Sequence, residues 1–231
     1  MKKIISLALV TVMLVFALAS CDMINKLLGK EPEKTPVRTT ITEEEWKALE
    51  TTTNFTAEGT MSSTMSRGEE SQTSNSKGLL KQSDTAVYDK TEYLYEDEEP
   101  SVDESYYVEK DGKSYYLVDM GSDLGWVAHE DNDIFNTMLD VACGGEEIEF
   151  KDLVYDEEKK AYVYTLDEED IHGVISLYFE DGKLVKTVIS ATGDMGEGED
   201  AIHAEASQTI VFSNIGTTTV DLPEYTIANE Q

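Results

Sequence analysis

From residue 55 onward the chain alternates apolar and polar side chains in short runs that turn residues separate. Phe55, Ala57 and Met61 occupy every second position of the first run, which is the period of a strand with one buried face. Between two later runs stands Asp111-Gly112, a pair typical of the type I′ hairpin turn, because both central residues of that turn need a positive φ. Consecutive hairpins of this kind build an antiparallel sheet that packs on one face.

The same pattern predicts strands along most of the chain, joined by short links rich in glycine and acidic residues. The acidic segment 96–105, which contains Pro100, is predicted to be an exposed loop. No internal repeat of solenoid or propeller length is present, so a single meander is expected. The predicted strands are 55–61, 79–83, 86–88, 92–95, 106–109, 115–119, 126–129, 150–155, 162–166, 174–179, 184–192, 204–212 and 217–222.

Two helices are predicted to interrupt or precede this strand pattern. Thr42 and Glu45 form a capping box at the start of a short N-terminal helix, and Ile41 and Trp46 have the spacing of a hydrophobic staple. A second helix is predicted over 133–144, with an aspartate as its N-cap and a glycine at its end.

The second predicted helix has an apolar face that must cover another apolar surface. We expect that surface to be the concave side of the sheet, so that either a filled core or a ligand site lies between sheet and helix. The candidate contacts with an apolar ligand are Phe55, Met61, Trp126, Phe135, Met138 and Leu139.

The N-terminal segment has the pattern of an export signal. Two lysines precede a mostly apolar run over 7–18, which is too short to span a bilayer and ends in small residues. Residues 18–21, Leu-Ala-Ser-Cys, resemble the lipobox of bacterial lipoproteins, which implies cleavage before Cys21 and a diacylglycerol on its thiol. We therefore expect an extracytoplasmic protein anchored through Cys21 to the outer face of the cytoplasmic membrane, with this acyl modification and no cofactor.

The chain is expected to have four parts. Residues 1–20 form the signal peptide, and 21–40 form the lipidated N-terminus with a flexible, charged tether. Residues 41–227 form a single β domain, which is long enough to bury one hydrophobic core, and 228–231 form a C-terminal tail.

The lipobox, the tether, the short helix and the long meander together resemble the LolA/LppX-like lipoproteins. The segment 43–46 leading into 54–56, and the segment 211–216 followed by 220–223, are similar to the start and to the closing strand pair of that family. The resemblance implies a mainly β (α+β) fold, in which a curved antiparallel sheet forms an unclosed half-barrel. A short N-terminal helix and one inserted helix would pack on its concave face, where several relatives carry acyl chains.

Charge and motif content exclude several other classes of function. The net charge of −30 excludes nucleic acid, whose phosphates attract clusters of Lys and Arg. His129, His172 and His203 lack a metal-ligand spacing, and 131–133 begins a calcium loop that no glycine or glutamate completes. Cys143 ends an apolar stripe and is expected to be a small buried residue. We therefore predict no enzymatic activity, no catalytic residue and no metal site.

Two functions agree with these features. The first is a lipoprotein anchored to the bilayer that binds an acyl chain or lipid between sheet and helices. The alternative is a ligand-free structural or interaction lipoprotein, whose acidic surface binds an envelope protein or a cell-wall partner. Only the first function needs a cavity, because small-ligand sites measure roughly 300–1,000 Å³.

Overall fold

The structure is a computed structural model that describes residues 37–94, 99–121, 125–131, 135–168, 171–195 and 202–228. The predicted signal peptide, Cys21 and the tether as far as residue 36 lie outside the described residues, and so does Asp133. Within the described ranges, no helix combines the length and the apolar character that crossing a membrane requires.

The described residues form one curved, mostly antiparallel sheet that does not close on itself. The strands are β1 (Phe55–Arg67), β2 (Glu70–Gln82), β3 (Ala86–Leu94), β4 (Ser101–Lys110), β5 (Lys113–Asp119), β6 (Trp126–Asp131), β7 (Val154–Asp156), β8 (Ala161–Glu168), β9 (Ile171–Glu180), β10 (Lys183–Met195), β11 (Ile202–Ser213) and β12 (Tyr225–Ile227). Their order across the sheet is β12-β6-β5-β4-β3-β2-β1-β11-β10-β9-β8-β7. The predicted fold class, an unclosed half-barrel with a short helix, is confirmed.

Strand register defines the two faces of the sheet. Phe55 of β1 pairs with Gln82 of β2, which pairs with Val87 of β3, so these three side chains share one face. We call this the inner face, because the helices α1 (Glu43–Leu49) and α2 (Met138–Cys143) pack on it. The face that carries Thr56 is the outer face.

The main core lies on the inner face, beneath the two helices. Phe55, Leu177 and Leu184 are fully buried there by Trp46 of α1 and Met138 of α2. Aromatic rings pack edge-on within it: the centroids of Phe55 and Phe212 lie 6.0 Å apart, and those of Tyr162 and Phe179 lie 5.8 Å apart. The other buried members are Ile41, Leu49, Ala57, Ala142, Cys143, Ile148, Ile175 and Ile210.

The helix caps explain why these short helices form. The predicted capping box of α1 is present: the Glu45 amide donates to the Thr42 hydroxyl at 3.2 Å, and the Thr42 amide donates to the Glu45 carboxylate at 2.8 Å. Hydrogen bonds from Arg38, then from Thr42, lower the pKa of Glu45 to about 2. Helix α2 is shorter than predicted, since its N-cap is Thr137, which forms a second capping box with Asp140.

A second apolar cluster occupies the outer face at the other end of the strand order. Val108, Tyr115, Leu117 and Ala128 form it, and Trp126 packs against it. Leu117 pairs with Tyr106 on one side and with Ala128 on the other, which places all these side chains opposite the face of Val87.

The chain end covers this second cluster as a strap, which we define as residues 214–227. The strap begins beside β1, where Asn54 accepts hydrogen bonds from the amides of Gly216 and Thr218, each at 2.8 Å. It then crosses the outer face to place Leu222 and Tyr225 on the cluster, and β12 pairs in parallel with β6. The predicted strand 217–222 is therefore wrong: this segment crosses the sheet instead of extending it.

Strands β1 and β2 are longer than predicted, and two further segments differ in their type of structure. The predicted strand 150–155 begins as a 3-10 helix over Phe150–Asp152, because Phe150 and Leu153, three residues apart, both pack on the main core. The predicted loop 96–105 contains the start of β4 at Ser101. There Glu104 pairs across the strands with Lys90 at 3.1 Å, so opposite charges stabilise an acidic strand.

Candidate functional site

Beyond the helices, the inner face of the central strands is open. Met61 and Met65 of β1 and Tyr93 of β3 are 41%, 52% and 36% exposed, although they continue the face that buries Phe55 completely. They border a groove of about 400 Å³, which we call the open groove. Its described lining residues are Met61, Ser63, Met65, Gln72, Ser74, Asn75, Ser76 and Tyr93.

Side-chain size explains why the groove forms. In β1 the inner-face residues change from Phe55 and Ala57 to Ser63, and the partners of Ser63 and Met61 in β2 are Ser74 and Ser76. Serine side chains are too short to fill the curve of the sheet, so they form the floor of a depression between the two methionines and the tyrosine. The volume lies within the range of real ligand sites.

The chemistry of the groove differs from that of the chain as a whole. None of the described residues that line it is charged, in a protein with 48 acidic residues and a net charge of −30. Methionine side chains are flexible and polarisable, and they adapt to apolar ligands of irregular shape. The groove suits an uncharged, apolar group.

The structure divides the six candidate ligand contacts among separate places. Phe55 and Met138 are fully buried in the main core, and Leu139 packs against that core from α2. The space predicted between sheet and helices is thus filled by side chains. Met61 lies in the open groove, and Phe135 is half-buried in the segment before α2.

Trp126 is separated from the other candidates by the sheet itself. It belongs to the outer-face cluster, where its ring centroid lies 5.2 Å from that of Tyr106. The expectation that Trp126 shares the concave surface with Phe55 and Met61 is therefore corrected. Register is the reason, because Trp126 and Ala128 alternate with Val127, the residue that points to the inner face.

A buried glutamine holds the segments beside the two helices to the sheet. The Gln82 side-chain amide donates to the carbonyls of Thr53 and Asn136, each at 2.6 Å, and its oxygen accepts from the Asn136 amide at 3.2 Å. It thereby joins β2 to the segments that follow α1 and precede α2. Sequence reasoning missed Gln82. The available signal was a polar residue two positions after Leu80, where the alternation of the strand calls for an apolar one.

Titratable groups elsewhere in the described part of the chain do not assemble into a comparable site. Burial raises the pKa of the Cys143 thiol to about 12. His203 contacts Asp194 at 2.8 Å and Glu205 at 3.3 Å on the outer face, and these carboxylates raise the pKa of His203. Within the described residues, no group of three or more His, Cys, Asp and Glu side chains is arranged to hold a metal ion.

Comparison with known proteins adds the following findings. No protein-family model matches the sequence, and no curated protein matches it. Among solved structures, the S-type phycobiliprotein lyase CPES from Guillardia theta is 9% identical over 74% of this chain and 92% of that chain, with a TM-score of 0.30.

Two further structures match at similar coverage. A domain named as an outer membrane lipoprotein-sorting protein, from Vibrio parahaemolyticus, is 13% identical over 78% of this chain and 92% of its own, with a TM-score of 0.22. A DUF1329 family protein from Desulfovibrio piger is 11% identical over the same shares, with a TM-score of 0.20. Similarity at these levels assigns no family and no activity, so the function has to be argued from the residues of this chain.

Proposed function

We propose that the protein is a membrane-anchored extracytoplasmic lipoprotein that binds one acyl chain in the open groove. The observation that carries the proposal is the groove itself: exposed Met61, Met65 and Tyr93 around a floor of serines, with no charge on the described lining residues. The proposed role is non-enzymatic and needs no cofactor, since the groove offers contact surface and no reactive group.

The dimensions of the groove are large enough for a segment of an acyl chain. From Met61 to Met65 the strand advances roughly 13 Å, at about 3.3 Å per residue, and the lining strands β1 to β3 span roughly 10 Å in the pairing direction. A linear chain lying along β1 would contact both methionine side chains and the Tyr93 ring. Burial of methylene groups would supply the affinity, at about 0.8 kcal/mol for each one fully buried.

A pair of tryptophan variants on one strand tests the ligand site. Ser63→Trp fills the floor of the groove, whereas Ser62→Trp places the same ring on the outer face of β1. We expect Ser63→Trp to weaken the binding of radiolabelled palmitate by the full chain at least about tenfold, because an overfilled site excludes its ligand. Ser62→Trp should bind as the parent does. Equal affinity in all three proteins, or no retention of palmitate by the parent, would refute the acyl-chain site.

Anchoring is tested separately through Cys21. In Cys21→Ser the thiol that would carry the diacylglycerol is lost, so we expect the protein to stay unprocessed or to leave the membrane fraction. The measurement is fractionation of cells that express the parent or the variant. A variant that is still processed and still sediments with the membrane would contradict the lipobox interpretation without affecting the groove.

A further inference from the structure

The β7 side of the sheet ends in a strand edge that is only partly covered. β8 pairs with β9 through residue 168, but it pairs with β7 only through residues 161–163. The chain before β7 turns away as the 3-10 helix Phe150–Asp152, so β7 cannot continue along β8. On this side, residues 164–168 have no partner strand among the described residues. Their outward N–H and C=O groups form a template for strand addition.

A concavity of about 520 Å³ lies beside this edge. Val154 lies in its wall and is 69% exposed, and Asp152 and Asp156 add two carboxylates. By register, Val154, Val163 and Thr165 belong to the outer face, so the concavity adjoins the edge on that face.

The inner face at the same edge is apolar instead. Tyr164 packs against the main core, and Leu166, two residues further along, is half-buried on the same face. A strand added here would therefore place alternate side chains in two environments: beside carboxylates on the outer face, and beside apolar groups on the inner face.

We propose that the β8 edge, defined as residues 164–168, binds an extended segment of a partner protein in which basic and apolar residues alternate. Main-chain hydrogen bonds to the edge would supply affinity. Basic side chains facing Asp152, and apolar side chains beside Tyr164 and Leu166, would supply the register, whereas Asp156 is already paired with Lys159 at 3.6 Å. The net charge of −30 favours the approach of a basic segment over an acidic one. This surface is independent of the open groove.

The probe is a blocked peptide of alternating lysine and valine, and the protein is the full chain. We expect hydrogen exchange of the outward-facing amides in 164–168, those that do not bond to β9, to slow at least about tenfold when the peptide is added, because strand addition protects them. The peptide N-methylated at every residue has no N–H group left to donate and should give no protection. Binding should also weaken steeply with salt.

Two valine variants locate the binding surface. Val154→Lys places a positive charge in the wall of the concavity, whereas Val211→Lys makes the same change on the outer face of β11, where Val211 is 48% exposed. We expect Val154→Lys to weaken peptide binding at least about tenfold, since an edge lysine opposes strand addition. Val211→Lys should have little effect. Asp152→Asn should weaken binding about threefold, the range of an exposed ion pair.

Several outcomes would overturn the proposal. Slow exchange of the outward-facing amides of 164–168 in the free full chain would mean that another part of the same chain already covers the edge. Equal loss of binding in Val154→Lys and Val211→Lys would mean that attraction by overall charge is enough. Unchanged binding of the N-methylated peptide would exclude strand addition.

Discussion

Strands β1 and β2 run through two regions of opposite character, which we call the capped half and the open half. In the capped half, Phe55 and Gln82 are fully buried beneath α1 and α2. In the open half, on the same face of the same strands, Met61 and Met65 are exposed around the open groove. Side chains alternate between the two faces in the same way along both strands, so backbone geometry does not distinguish the halves. They differ in the size of the inner-face side chains and in the presence of the helices.

The difference separates stability from binding capacity along one pair of strands. A buried aromatic group with many neighbours stabilises the fold. Removal of an exposed methionine changes the free energy of unfolding little, whereas its side chain gains contacts when a ligand binds. Mutations in the capped half should therefore lower the free energy of unfolding strongly, whereas mutations in the open half should change it little.

The largest expected effect comes from truncation of one inner-face residue in each half. Phe55→Ala leaves a cavity among Trp46, Met138 and Phe212 and should lower the free energy of unfolding by about 3–5 kcal/mol. Met65→Ala should change it by no more than about 0.5 kcal/mol, since its side chain is half exposed. Urea denaturation of the two variants measures this. Similar losses at both positions would remove the contrast between the halves.

Loss of the buried amide tests how the helices are held to the capped half. Gln82→Leu keeps the volume but leaves the Thr53 and Asn136 carbonyls without their donor, so we expect a loss of about 1–3 kcal/mol. Gln72→Leu, on β2 in the open half, is the matched control and should be nearly neutral. Urea denaturation and hydrogen exchange of α2 would show whether the loss is local. A neutral Gln82→Leu would contradict a stabilising role for the amide.

Two glycines compare a turn beside the capped half with the turn that ends the open half. Gly182 (φ +81°) and Gly68 (φ +60°) both lie in the left-handed region, so alanine at either costs about 1–2 kcal/mol in backbone strain. At Gly182 a Cβ would also collide with Glu45 and lie 2.7 Å from Arg38, whereas at Gly68 it would meet nothing within 4 Å. Thermal unfolding should show a larger loss for Gly182→Ala. Equal losses would mean that the Arg38–Glu45 pair moves aside freely.

The smallest expected effect is a pH dependence at the far end of the β10–β11 hairpin. Asp194, followed by Glu205, raises the pKa of His203 in the folded protein. Protonated His203 therefore adds stability that is fully present below its unfolded pKa of about 6.5 and is lost as pH rises through the higher folded value. NMR titration should give a lower pKa for His203 in Asp194→Asn, and Asp103→Asn should leave it unchanged. An unshifted titration in Asp194→Asn would show that the contact contributes nothing.

Local signals in the sequence predicted much of the fold. Thr42 and Glu45 specify the start of α1 through bonds between near neighbours, and Asp111-Gly112 forms its turn with φ of 55° and 73°. Such features need no information from distant residues, which is why they could be read directly.

The candidate site depended on information that alternation does not contain. In β4 and β5, tyrosines occupy adjacent positions, Tyr106 with Tyr107 and Tyr115 with Tyr116, so both faces look apolar and the face of Trp126 could not be chosen. Met61 was predicted as a candidate, but the groove also needs Tyr93, which two turns and one strand separate from it along the chain. The path of the strap depends on Asn54, more than 150 residues earlier.

The strap has a consequence for how the chain reaches its final state. β6 is synthesised near the middle of the chain, yet its neighbour at the edge of the sheet is β12, the last of the described strands to be synthesised. The aromatic surface around Trp126 therefore lacks this cover until residues 222–227 have been synthesised, and a chain that stops before them leaves that surface bare. Late closure of this kind involves contacts between distant residues and forms slowly. Proteases that recognise exposed apolar surface would therefore distinguish chains that carry the strap from chains that lack it.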